Sequence, residues 1–233
     1  MKRIILDYTK LSKEVLILLT KQYPDGYEEE DVIQFKNLSG ETIQAVEEEL
    51  ATKPLEWSAI DVTLVDERAV PETDQASNAR LVKQTLCTDQ ASLARFEPLL
   101  VESDAMHSAR TLNQRECSID IAILGMGEDG HFASLFPRQS AVPGLGDDVD
   151  GFVATDAVGS PSVPRISMTL TRILSAPLVV LLVSSEAKKE KVLAGLRGLD
   201  PMNPVSYLLA ANHPIVIEWP DGSTETIQGG VAQ

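Results

Sequence analysis

Cysteine is nearly missing from this chain. Cys87 and Cys117 are the two in 233 residues, far apart, with no C-x-x-C pair and no neighbouring histidine. They read as reduced, structural side chains, which fits a reducing, cytoplasmic setting. No apolar run approaches the roughly 20 residues that a membrane-spanning helix needs. The N-terminus lacks the uninterrupted apolar h-region and small-residue cleavage site of a signal peptide, so no membrane partner is expected. Basic residues are also scarce, 20 Lys and Arg against 35 Asp and Glu. The resulting net charge of −15 and pI near 4.6 argue against a nucleic-acid surface, which wants a basic face. An acidic protein can still hold a small phosphate through a few local cations, so single arginines and lysines carry weight. No repeat, linker or low-complexity segment divides the chain, and a single domain over 1–233 is expected. Nothing in the sequence fixes an oligomeric state.

What is present is an alternation of strand-like and helix-like segments. Residues 2–6 read as a short strand, and 10–22 carry a helical stripe of Leu11, Val15, Leu18 and Leu19 that Pro24, Asp25 and Gly26 end. A strand-like segment at 32–38 leads through Ser39, Gly40, Glu41 and Thr42 into a helix near 45–51, an arrangement that offers a phosphate the N–H groups of a helix start. Strands are predicted at 61–65, 96–101, 152–158, 165–170, 178–183, 215–219 and 224–228. Helices are predicted after Ser77 and Asn78, at 104–116 with Met106 and Leu112 inward, at 186–196 and at 205–210. The pattern implies an α/β fold, a mostly parallel open sheet covered by helices on both faces. Asp66, Glu67 and Arg68 follow the 61–65 strand directly, where ligands gather in such sheets, although a solvated loop explains them equally well.

The densest signal is the stretch 119–137, IDIAILGMGEDGHFASLFP. It opens as a buried parallel strand and continues through Gly125, Gly127 and Gly130 to His131. Glycine permits close backbone approach, so the turn can aim N–H groups and one imidazole at a ligand beyond the strand end. The letters also spell G-x-G-x-x-G, but the dinucleotide context fails. The motif lies mid-chain, Pro137 cuts off the following helix, and the acids at the expected distance, Asp147, Asp148 and Asp150, sit among glycines. On its own the turn fits a structural bend with a core histidine as well as a site. His107 has no second ligand one helical turn away, and His213 beside Pro214 starts a strand; both read as structural.

Several stretches together resemble the 6-phosphogluconolactonase family, which shares a fold with sugar-phosphate isomerases and glucosamine-6-phosphate deaminases. They are VDERAVP at 65–71 followed by Ser77 and Asn78, LGMGEDGHFASLFP at 124–137, PRISMT at 164–169, and the apolar strand leading to Lys188. They run in family order over about 38–191.

The resemblance implies hydrolysis of 6-phospho-D-glucono-1,5-lactone to 6-phospho-D-gluconate, in the oxidative pentose phosphate pathway. It calls for no cofactor and no metal. His131 would be the general base, with Asp129 or Asp66 holding its tautomer, and Arg68 would meet negative charge. Ser39, Gly40, Thr42, Gly127, Arg165 and Lys188 would bind substrate and phosphate, with Lys189 a rival for Lys188. One departure stands out. Where the family resembles Ser-Gly-Gly-Ser/Thr-Thr-Pro, this chain has Glu41 in place of the second glycine, a negative charge where phosphate is expected. Two other functions remain open beside the lactonase: a sugar-phosphate-binding or regulatory homologue without turnover, and a deaminase-like aldose–ketose isomerase. Against the isomerase, its loop resembles Asp-Glu-Tyr, whereas this chain has Asp66-Glu67-Arg68.

Overall fold

The computed structural model describes residues 2–6, 51–137, 144–146 and 149–229. The predicted segments at 10–22, 32–38 and the Ser39 to Thr42 turn lie outside them. Strands β1 (Lys2–Leu6), β2 (Ile60–Leu64), β4 (Arg95–Phe96), β5 (Ile121–Leu124), β8 (Leu178–Leu182), β9 (Pro214–Glu218) and β10 (Thr224–Gln228) form a seven-stranded sheet in the order β10-β9-β8-β5-β1-β2-β4. Every pairing is parallel except that of β9 with β10. That pair is joined through Asp221 and Gly222, the glycine supplying the φ of +81° that the hairpin requires. β5 and β9 show why the central strands form: Ile121 through Leu124 and Ile215 through Glu218 are buried without a break. Because successive side chains point to opposite faces, an unbroken buried run means that these two strands are shielded on either side.

The sequence reading placed all strands in one sheet. The structure instead puts β3 (Asp66–Arg68), β6 (Phe152–Val158) and β7 (Val163–Met168) in a separate antiparallel sheet ordered β3-β7-β6. The charged triplet at 66–68 is thus a short strand and not a solvated loop; Asp66 and Glu67 are buried. Only Val65 separates it from β2, so one extended segment passes from the large sheet into the small one. The strand expected at 96–101 shrinks to Arg95–Phe96, as Pro98 has no N–H to give a ladder.

Helices follow where capping residues stand. Ser77, Asp104, Thr169 and Ser185 each accept a hydrogen bond from the N–H three residues on, opening helices Asn78–Thr85, Ala105–Leu112, Leu170–Leu174 and Glu186–Gly195. Helix Ala105–Leu112 corrects one core assignment. Its buried positions are 105, 108, 109 and 112, a single stripe at helical spacing, and Met106 falls off that stripe and is exposed.

Candidate active site

Strand order reverses direction at β5. The chain travels from β1 outward to β2 and β4, then returns to the other side of β1 at β5 and continues to β8 and β9. Open parallel sheets place ligands at such a switch point, beyond the carboxyl ends of the strands. The glycine turn after β5 sits there and faces a cleft of about 170 Å³, whose walls include Asp66, Arg68, Asn78, Gly127, His131 and Arg165.

The turn is built to hold one imidazole. Gly127 donates its N–H to His131 O at 2.8 Å, and Gly130, at φ +86°, donates to Gly127 O at 3.1 Å. A Cβ on Gly127 would stand 2.3 Å from Cε1 and Nδ1 of His131. The glycine is therefore required by the histidine ring itself, a reason that the sequence, which suggested a substrate contact for Gly127, did not reveal. His131 Nδ1 lies 2.5 Å from Asp129 Oδ1, and Nε2 is left as the nitrogen that can exchange a proton. Burial would raise the Asp129 carboxyl, but the hydrogen bond and charge of His131 outweigh it and hold it below the ordinary range.

Asp66 does not share this task. Its carboxylate accepts from Ser134 Oγ and lies 3.9 Å from Arg165 Nη1, while Asn78 Nδ2 donates to its backbone oxygen at 3.0 Å. Strand alternation separates the triplet: Asp66 and Arg68 line the cleft, and Glu67 points the other way. There its carboxylate accepts from the N–H groups of Arg68 (2.7 Å), Asn78 (2.8 Å) and Ala79 (2.7 Å) and from Ser77 Oγ (3.2 Å). Burial still pushes the Glu67 carboxyl up, against the pull of those donors.

Two guanidinium groups face the cleft. Arg68 Nη1 donates to Ala76 O at 3.1 Å and to Asn78 Oδ1. Arg165 is only 4% exposed and donates through Nη2 to Pro161 O at 3.1 Å. Among the described residues, the buried Nε–H groups of both have no acceptor. Burial, and then the charge of Arg68, lower the Arg165 pKa, with Asp66 opposing. Two adjacent cations with spare donors are chemically suited to an anionic ligand.

Lys188 does not line the cleft; its ammonium donates to Ser184 Oγ at 2.8 Å. Lys189 reaches instead over the Trp219 ring, 5.7 Å from its centroid. Ser39, Gly40, Glu41 and Thr42 lie outside the described residues. Asn78 lines the cleft although its role was missed; the one available signal was its place beside Ser77 after the charged triplet. His107 binds Asp104, and His213 its neighbour Pro214, as structural readings would have it.

A family model described as glucosamine-6-phosphate isomerases/6-phosphogluconolactonase matches residues 9–217. The chain belongs to this family. A relative from Caulobacter vibrioides named 6-phosphogluconolactonase is 35% identical over 187 residues, 76% of this chain and 78% of its own length. Another so named, from Pseudomonas aeruginosa, is 38% identical over 180 residues, covering 74% of each chain. A solved 6-phosphogluconolactonase from Shewanella baltica superposes with a TM-score of 0.69 at 27% identity, over 94% of this chain and 97% of that one. The chain is similar to that structure in its mixed α/β architecture. No helix among the described residues is long and apolar enough to cross a membrane.

Proposed function

We propose that this chain hydrolyses 6-phospho-D-glucono-1,5-lactone to 6-phospho-D-gluconate, with His131 as general base. The observation that carries the reading is the Asp129–His131 pair facing a cleft that also holds Arg68 and Arg165, in a chain whose curated relatives are named for this activity.

Asp129 accepts the Nδ1–H of the neutral ring, which leaves the Nε2 lone pair to take a proton from water. The hydroxide so formed bonds to the lactone carbonyl carbon, and the carbonyl oxygen gathers negative charge. As the intermediate collapses, the bond from that carbon to the ring oxygen breaks and the imidazolium returns its proton to the departing oxygen. Water is added across the ester and His131 is regenerated. Arg68 and Arg165 supply positive charge in a partly enclosed cleft, where it counts for more than in water. Ser39, Gly40 and Thr42 complete the phosphate cradle in this reading, and Lys188 contributes charge from the adjoining helix.

The finer architecture belongs to the same reading: one domain, helices on both faces of the parallel sheet, and a cytoplasmic location. The unbroken burial of Ile121–Leu124 supports the coverage of the sheet. The test is proton release from the lactone, measured against its spontaneous opening in buffer. The parent chain accelerates it, and His131→Ala lowers the rate by about 10²-fold or more, the scale of a lost general base. A rate equal to buffer, or a His131→Ala variant as fast as the parent, refutes the reading.

A further inference from the structure

Behind the cleft wall, the Phe136 ring touches two of the groups that face the ligand. Its centroid is 4.3 Å from that of the His131 ring, tilted by 31°. The guanidinium carbon of Arg165 stands over the same ring, 5.2 Å from its centroid. Phe136 is not among the residues that line the cleft. The slot it occupies exists because residue 159 is glycine: a Cβ there would lie 2.8 Å from Phe136 Cζ and 3.1 Å from Arg165 Nη2. We infer that Phe136, seated against Gly159, is a positioning residue that fixes the spacing between the His131 imidazole and the Arg165 guanidinium.

The inference rests on the lactonase reading for its kinetic consequence and on geometry alone for its physical content. Each contact has a chemical reason. The ring face attracts the Arg165 cation, holding a side chain whose Nε–H has no acceptor among the described residues. The same ring limits the freedom of an imidazole otherwise tied, among the described residues, through Nδ1 and its own backbone. A base and an anion-binding cation act on one small substrate, so their separation must be set to within a fraction of an ångström.

The experiment compares Phe136→Leu, Gly159→Ala and Gly222→Ala with the parent. Gly159 and Gly222 have nearly the same φ, +80° and +81°, but a Cβ at Gly222 meets nothing within 4 Å among the described residues. Both alanine variants thus place a Cβ at a positive φ, and only one also disturbs the ring. We expect Phe136→Leu and Gly159→Ala to lower kcat by between about tenfold and 10²-fold. Both should bind inorganic phosphate about three- to tenfold more weakly by calorimetry, since the ring no longer helps to hold the cation. Gly222→Ala loses thermal stability through its backbone alone yet keeps the parent's kcat and phosphate affinity. Should Phe136→Leu retain the parent's kcat and phosphate affinity, or Gly222→Ala fall as far as Gly159→Ala, Phe136 only fills space and the inference is overturned. A parent that fails to open the lactone refutes the lactonase reading instead. Phosphate affinity across the same variants then decides the inference, the same pattern supporting it and uniform affinity overturning it.

Discussion

Arg68 and Arg165 are direct cross-strand partners in the small antiparallel sheet. Like charges in that position destabilise a sheet, by a few tenths to about 1 kcal/mol, and here one of the two is almost wholly buried. A bound anion between them would turn the repulsion into attraction. The free protein is thus strained electrostatically toward its ligand.

Inorganic phosphate is accordingly expected to stabilise the fold, by about 2.7 kcal/mol at a hundredfold excess over Kd, a rise of a few degrees in Tm for a chain of this size. Arg68→Met should remove that gain while leaving the phosphate-free Tm near or above the parent's. Scanning calorimetry with and without phosphate reads both. An equal phosphate gain in parent and variant would place the anion elsewhere.

Gly127→Ala should fold and lose activity by about 10²-fold, because the added methyl occupies the space of the His131 ring and breaks its bond to Asp129. Gly146→Ala, whose Cβ meets nothing within 4 Å among the described residues, is the matched control. Kinetics on both variants check this; comparable kcat values would show that the ring can move aside without cost.

Asn78→Ala removes the acceptor that holds Arg68 Nη1 and the donor to Asp66 O. With the guanidinium less restrained, substrate binding should suffer first: KM rises by about tenfold, and kcat falls less. Steady-state kinetics separate the two, and a loss confined to kcat would assign Asn78 a part in the chemical step.

Glu67 gives a pH prediction. Its carboxyl titrates above its ordinary 4.5 because burial disfavours the charge. The folded state therefore binds that proton more tightly than the unfolded state. The stabilisation is fully present below pH 4.5 and is lost as pH rises through the folded value. Relative to Glu67→Gln, the parent should be most stable at the acid end and lose that advantage as pH rises. Thermal melts across that window test the sign; an advantage growing with pH would mean that the four donors outweigh burial.

The sequence was most legible where chemistry and local pattern coincide. The run Ile121–Leu124 reads as a central strand because nothing in it is polar, and His131 stands out because three glycines precede it and Asp129 lies two residues away. The triplet 66–68 resisted reading for the opposite reason. With three charged residues it shows no apolar alternation, and its strand character depends on pairing with residues about 100 positions later. For the same reason Asp66 could not be separated from Asp129 as the partner of His131. Phe136 looked like one more apolar residue before a proline; its contacts with His131 and Arg165 arise from tertiary packing that no local spacing encodes.

Val65 has a consequence for how this chain can change in length. It is fully buried, its carbonyl accepts from Met168 N at 2.8 Å, and it is the single residue between β2 and the strand that carries Asp66 and Arg68. One residue inserted or deleted there would barely alter composition or net hydrophobicity but would reverse the facing of the side chains of β3. Glu67 would turn into the cleft, and Arg68 would turn toward the start of helix Asn78–Thr85, putting an anion in place of a cation in the cleft. Substitutions at this junction can be graded and survivable, whereas an indel is a switch of sign. Drift in length must therefore be absorbed in other segments, while the count from Leu64 to Arg68 stays fixed.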